Sequence, residues 1–278
     1  MKDDVKQGGL SAAALRAIAA EAAAAFENGG PQVQAFSARH PALTMDDAYR
    51  VTALANNMRV ANGYKPVGRK IGFTNRRIWD EYGVHAPVWG YVYDRTLRDI
   101  AAPFPLAAFA EPKIEPEIML GLSRAPSPGM DDVALLSCIA WVAHGYEIVQ
   151  SIFPGWKFAP PDAVIVDGHH GALLIGPRHE IGAKAAEWLS ALTSFEIELF
   201  CDGKLMDKGH ALNVLEGPLS TIRYLMDLLA RDPDNPPLAA GEIVSTGTLT
   251  RALPVKPGET WTTKLKGIPL EDARLRFE

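Results

Sequence analysis

Helix-type and strand-type segments follow one another in this chain without alternating, and that order limits the fold more than any other feature. Residues 11–28, SAAALRAIAAEAAAAFEN, begin on a capping serine, run through strong helix formers and stop at Gly29-Gly30-Pro31. A second helix starts at Thr44, with Asp47 three residues after the cap, and extends to Asn62 before Gly63. After Pro66 the pattern changes to short β-branched and aromatic runs at 70–74, 88–93 and 114–122, with Pro103, Pro105 and Pro112 marking a connecting segment. Asp131 or Asp132 caps a predicted helix reaching Ile148, through Leu136, Ile139, Ala140 and Ala143 at helical spacing. Residues 171–176 read as a buried strand, and 195–200 as a strand that turns at Asp202-Gly203 into Lys204-Leu205-Met206. A helix after Pro218 and strands at 242–249, 260–265 and 273–277 complete the pattern. A doubly wound parallel sheet needs regular alternation, so this order predicts an α+β architecture.

Composition removes several classes of function. A formal net charge of −5 and a pI near 5.8 offer no basic face for nucleic acid or an anionic membrane. No run approaches the ~18 uninterrupted apolar residues of a membrane span, since Arg16, Glu21 and Glu27 break the alanine-rich block. Residues 1–7 mix two Asp with two Lys, which is wrong for a signal peptide, and a cytoplasmic location is expected. Cys138 and Cys201 lack CxxC spacing and read as reduced thiols. Neither GxGxxG nor GxxxxGK[ST] occurs, so no nucleotide cofactor is expected. Trp89, Trp141 and Trp156 read as core and pocket wall, because no basic groove accompanies them.

The stretch Lys113-Ile114-Glu115-Pro116-Glu117-Ile118-Met119-Leu120 carries the most chemical information. In a strand, Glu115 and Glu117 project from one face because side chains alternate with period two. Two carboxylates directed into a cleft repel unless protonated or bridged by a cation, and all-oxygen ligands suit a hard ion such as Mg²⁺ or Mn²⁺. The competing reading is an edge strand whose exposed acids and proline deter pairing with other chains. Glu147, placed near the C-terminus of the predicted 131–148 helix, opposes the helix dipole there. It is either a third ligand or a surface glutamate. Lys70 on its short apolar strand is either a surface lysine or a desolvated group able to hold an enolate or move a proton. His169 and His170 are adjacent, so strand geometry turns them to opposite faces and at most one lines a pocket.

With these residues in view, the chain resembles the hydratase/decarboxylase branch of the fumarylacetoacetate hydrolase superfamily from the second helix to the C-terminus. The landmarks come in that family's order: Arg69-Lys70-Ile71-Gly72-Phe73-Thr74, Glu115-Pro116-Glu117, Tyr146-Glu147-Ile148-Val149, Trp156-Lys157-Phe158 and Asp167-Gly168-His169-His170-Gly171. Asn213-Val214-Leu215, Gly217-Pro218-Leu219 and 241–248 follow. Each motif alone is weak; the ordered set is specific.

The resemblance implies an N-terminal helical and short-strand portion, residues 1–100, ahead of a mixed β-roll catalytic domain, residues 101–278. It implies Glu115, Glu117 and Glu147 as ligands of Mg²⁺ or Mn²⁺ and Lys70 as a catalytic residue. Lys157 and His85 are further catalytic candidates, and Asp167, His170, Thr246 and Thr248 are substrate-binding candidates. The chain departs from the family pattern at His85, where the hydratases carry an acid, and at His169-His170, where they carry small polar residues. The implied activity is addition of water to a 2-hydroxy-2,4-dienoate through a metal-chelated enolate. A 4-oxalocrotonate-type decarboxylase is the first alternative, followed by an acylpyruvate C–C hydrolase and a non-catalytic partner subunit. His85, His169, His170, Arg76 or Arg77 would meet a second carboxylate, whereas Trp89, Phe158 and Leu249 suggest apolar walls. The implied partners are a small 2-oxo or 2-hydroxy-dienoate acid, further copies of the chain in a homo-oligomer, and a pathway partner enzyme.

Overall fold

The computed structural model describes residues 9–26, 32–76, 79–82, 84–100 and 103–278. The helical portion contains α1 (Ala12–Phe26), α2 (Phe36–Arg39) and α3 (Met45–Ala61). Thr44 caps α3 reciprocally, its hydroxyl accepting from Asp47 N at 3.1 Å while the Asp47 carboxylate accepts from Thr44 N. The predicted stop at residues 29–31, and Arg77, lie outside the described residues. Leu15, Ile18 and Ala22 of α1 and Ala48, Val51 and Ala55 of α3 share one buried cluster, so small side chains let the two helices approach closely. No helix among the described residues is long and apolar enough to cross a membrane.

The strands and short helices follow as β1 (Pro66–Gly72), α4 (Trp79–Tyr82), β2 (Val88–Tyr93), β3 (Leu97–Asp99), β4 (Lys113–Leu122), α5 (Asp132–Leu136) and β5 (Ile139–Val149). Then come α6 (Pro160–Ile165), β6 (His170–Ile175), β7 (His179–Glu180), α7 (Ala185–Ser194), β8 (Glu196–Cys201), β9 (Lys204–His210) and α8 (Pro218–Ala230). The chain closes with β10 (Ile243–Ser245), β11 (Leu253–Pro254), β12 (Thr260–Lys266) and β13 (Arg274–Arg276). One curled, mixed sheet runs β2-β1-β10-β4-β5-β6-β3, with β11 beside β4 and β7 beside β5. A second, smaller sheet runs β13-β12-β8-β9. This is the expected α+β architecture. Strands on both sides of residue 100 share the large sheet, since β1 pairs with β10 and β3 with β6. Helices α5, α7 and α8 bury Leu135, Trp188, Leu192, Ile222 and Leu225 against sheet residues such as Ile118, Leu120 and Val142.

The helix expected over 131–148 is corrected. Asp131 caps α5, its carboxylate accepting from Ala134 N at 2.8 Å, but the helix ends at Leu136 and Glu147 belongs to β5. From Val142 to Val149 every residue of β5 is buried, so neither face is polar and the alternation that marks a strand is missing. The strand expected over 242–249 is also shorter, because the chain leaves the sheet after Ser245 and loops over β4.

Candidate functional site

Cross-strand register assembles the carboxylates. Glu115 and Glu117 share a face of β4, and antiparallel pairing sets Glu147 of β5 directly opposite Glu115. Ligand oxygens of all three come within 4.8 Å of one another. Glu117 and Glu147 are fully buried and Glu115 is half-buried at the wall of a cavity of about 260 Å³. The Glu117 Oε2 atom accepts a hydrogen bond from the Ser245 hydroxyl and another from Gly247 N at 3.0 Å. Its other oxygen, Oε1, is buried and has no hydrogen-bond partner among the described residues. Gly247 reaches this carboxylate in a left-handed conformation, φ +91°, where a Cβ would stand 2.0 Å from Thr74 Oγ1.

Lys70 projects from β1 into the same cavity. Its ammonium lies 3.2 Å from Glu147 Oε2 and donates to the Gly168 carbonyl at 2.7 Å. Burial works to lower its pKa, but the charges of Glu147, Glu115 and Glu117 outweigh burial and hold it above the usual lysine value. Lys70 is therefore a cation and a hydrogen-bond donor at neutral pH. Burial pushes Glu115 up to about 7 against the opposing charge of Lys70, with Glu147 adding to the rise. Glu117 is raised further, by burial and then by its two acidic neighbours. Glu147 goes the other way, because Lys70 and a hydrogen bond from His170 overcome the cost of burying it. The donor set is all oxygen, anionic and converging, and one buried oxygen is uncommitted. Those properties fit a hard divalent cation held by Glu115, Glu117 and Glu147.

Lys70, Glu115, Glu117 and Thr248 line the cavity, with Glu147 against it. Five other expected site residues are placed differently. Asp167 is buried behind the wall, 2.5 Å from Arg59 Nη1, and accepts from Tyr91 N at 3.0 Å. His170 sits behind Glu147, its Nδ1 2.7 Å from Oε1 and its Nε2 2.8 Å from Thr96 Oγ1. Its ring orients the carboxylate and does not border the cavity. Thr246 spends its hydroxyl on the Ile118 carbonyl at 2.9 Å. Lys157 and His85 are exposed, and neither lines the cavity. Lys157 lies between Trp156 and Phe158, which do.

Lys113, Thr74 and Arg251, which were given no site role from sequence, line the cavity, and of the two adjacent histidines it is His169 that does so and not His170. Lys113 was legible by the alternation used for the acids, since it precedes Glu115 by two on the same strand face. Its ammonium lies 3.9 Å from the Trp156 ring centroid. His169 follows Asp167 and Gly168 in a short turn of left-handed residues, with φ of 51°, 63° and 65° in order. The strand geometry expected there allowed one of the two histidines to face a pocket, and the turn selects His169.

Comparison with known proteins gives a consistent pattern. No family model matches the chain. It is 30% identical over 222 residues to a 2-keto-4-pentenoate hydratase of Paraburkholderia phymatum, covering 80% of this chain and 82% of that protein. It is 28% identical over 238 residues to a 4-oxalocrotonate decarboxylase of Pseudomonas sp. strain CF600, covering 84% and 87%. Among solved structures, the 4-oxalocrotonate decarboxylase of Pseudomonas putida G7, complexed with magnesium and adipate, superposes with a TM-score of 0.88 at 24% identity, covering 98% of this chain and all of that one.

Proposed function

Because the chain belongs to the hydratase/decarboxylase branch of the fumarylacetoacetate hydrolase superfamily, we propose that it is a divalent-metal-dependent hydro-lyase adding water to a 2-hydroxy-2,4-dienoate. The observation that carries this reading is the buried cluster of Glu115, Glu117 and Glu147 with the Lys70 ammonium against it. Mg²⁺ or Mn²⁺, when bound by the three carboxylates, supplies Lewis acidity toward the C1 carboxylate and C2 oxygen of the acid.

The chain's own groups do the rest. The Lys70 ammonium, held by Glu147 and the Gly168 carbonyl, is a fixed cation able to stabilise negative charge that develops on the substrate. With the three carboxylates beside it the amine stays protonated, so it acts as a fixed cation and hydrogen-bond donor and not as a base. Phe73, Trp156, Phe158 and Leu253 give the cavity apolar walls that limit water, as a five-carbon dienoate requires. Lys113 and Arg251 on the rim draw in an anionic acid. Protonation at C5 of the dienol gives a conjugated enone, and water then adds its oxygen at C4 and a proton at C3.

Those two rim cations also favour the second reading, decarboxylation of a 4-oxalocrotonate-type diacid, since they would meet a distal carboxylate. The test supplies Mg²⁺ and either freshly generated 2-hydroxypenta-2,4-dienoate or 4-oxalocrotonate, and follows product mass and CO₂. Gain of one water by the monoacid without CO₂ is expected. Release of CO₂ from the diacid with no hydration of the monoacid overturns the first reading in favour of the second.

A further inference from the structure

His169 lines the cavity, is 4% exposed, and is pinned on every side. Its N–H donates to the Val166 carbonyl at 3.0 Å, and its carbonyl accepts from Gln150 N at 2.9 Å. Nδ1 lies 3.2 Å from the Gln150 carbonyl. A carbonyl can only accept, so Nδ1 carries the hydrogen and Nε2 carries a lone pair. Phe158, Trp156 and Phe153 pack around the ring with centroids at 4.3, 5.1 and 6.1 Å, which fixes its orientation. Nε2 is buried and has no partner among the described residues. Burial, with Lys70 and Lys113 nearby, pushes the imidazole down to about 3, so it stays neutral across the physiological range and is too weak a base to take a proton from water.

A rigid, neutral acceptor in the wall of a substrate cavity, with no protein partner among the described residues, is satisfied by a donor that enters the cavity, a ligand hydroxyl or a water. We propose that His169 is a specificity-determining residue whose Nε2 accepts a hydrogen bond from a hydroxyl or water at C4 of the bound 2-oxo acid and disfavours a carboxylate at the far end. The inference rests on the hydro-lyase reading. It adds that the pocket distinguishes a hydroxyl from a carboxylate beyond the C1–C2 end. A carboxylate facing Nε2 sets lone pair against lone pair with no proton between them, whereas the C4 hydroxyl of the hydration product, or the water that becomes it, pairs directly. Sites built to hydrogen-bond a hydroxyl reject analogues lacking it far more strongly than apolar pockets reject a missing methylene.

The test measures calorimetric affinities, with Mg²⁺ present, of 2-oxopentanoate, 4-hydroxy-2-oxopentanoate and 2-oxoglutarate, which differ only beyond C3. The wild type is expected to favour the hydroxy acid over 2-oxopentanoate by about tenfold or more and to bind 2-oxoglutarate weakest of the three. His169→Phe keeps a ring and removes the acceptor, so the hydroxyl preference should fall to near unity. His169→Gln presents both an acceptor and a donor, and should recover the hydroxyl preference while binding 2-oxoglutarate more tightly than the wild type. Circular dichroism confirms that each variant is folded. Equal wild-type affinity for the hydroxy and unsubstituted acids overturns the inference, as does a preference that survives in His169→Phe. If the wild type hydrates the dienoate without any hydroxyl preference, the His169 assignment fails and the hydro-lyase reading stands. If the folded wild type binds none of the three acids, both fail.

Discussion

The Lys70 ammonium lies 3.2 Å from Oε2 of Glu147, with both side chains buried. The two residues stand on β1 and β5, separated in the sheet by β10 and β4, so the lysine stem crosses the face that carries Glu117 to reach its partner. The pair keeps Glu147 ionised and Lys70 protonated, while Glu115 and Glu117 are driven toward their neutral forms. The Lys70 ammonium alone does not balance the charge of the three converging carboxylates, and a divalent ion would supply the remainder.

Replacing Lys70 by Met removes the charge and keeps much of the stem. The variant is expected to lose roughly 100-fold or more in kcat, equivalent to about 3 kcal/mol of transition-state stabilisation, with a smaller change in KM. Leaving Glu147 without its ammonium also destabilises the cation-free protein, by roughly 3–5 kcal/mol for a fully buried pair, and added Mg²⁺ should recover part of that loss. Steady-state kinetics and thermal melts with and without Mg²⁺ check both halves. A near-normal kcat shows that Lys70 is structural.

The Arg59–Asp167 pair yields a different kind of prediction. Asp167 holds Arg59 and the Tyr91 backbone behind the cavity wall, and the Arg59 guanidinium packs 4.0 Å from the Phe26 ring centroid. Asp167→Asn should therefore lower stability by roughly 3–5 kcal/mol while leaving the affinity for a 2-oxo acid within a few-fold of wild type. Denaturant unfolding and ligand calorimetry separate the two effects. Unchanged stability with lost ligand binding would return Asp167 to the substrate.

His144 gives the expected pH dependence of stability. It is buried, bridges the Glu117 carbonyl at 2.9 Å through Nδ1 and Thr263 Oγ1 at 2.9 Å through Nε2, and burial lowers its pKa to about 4. Between that value and the ordinary histidine value of about 6.5, the unfolded chain binds a proton that the folded chain excludes. The contribution is complete above 6.5 and is lost as pH falls toward 4. Its full size is on the order of 3 kcal/mol. His144→Gln removes the titrating group, so the stability gap between wild type and variant should narrow as pH drops from 7 to 4.5. Denaturant melts at these pH values showing a constant gap would contradict it.

What could be read from sequence was local. The period of two in Lys113-Ile114-Glu115-Pro116-Glu117 put the acids on one face whatever their partners were, and the Thr44 and Asp131 caps marked real helix starts. Glu147 was singled out, but for a wrong reason. Its position opposite Glu115 is a property of β4–β5 register, which no single segment encodes, and burial of both β5 faces hid its strand character. Asp167, His170 and Thr246 sit in motifs next to the cavity, yet their side chains turn into the wall behind it. Motif adjacency does not fix side-chain direction, and three successive left-handed residues at 167–169 set that direction here.

The most direct measurement is calorimetric titration of the chelator-stripped protein with Mn²⁺ across pH, for the wild type and for Glu117→Gln and Glu147→Gln. The wild type should bind one ion per chain through the three carboxylates. Protons compete for Glu115, raised to about 7, so affinity should weaken and proton release should increase as pH falls from 8 to 6. Each variant, isosteric but one charge short, should bind at least about tenfold more weakly. Wild-type Mn²⁺ affinity in both variants, or no binding by the folded wild type, would contradict the metal centre and the hydro-lyase reading built on it.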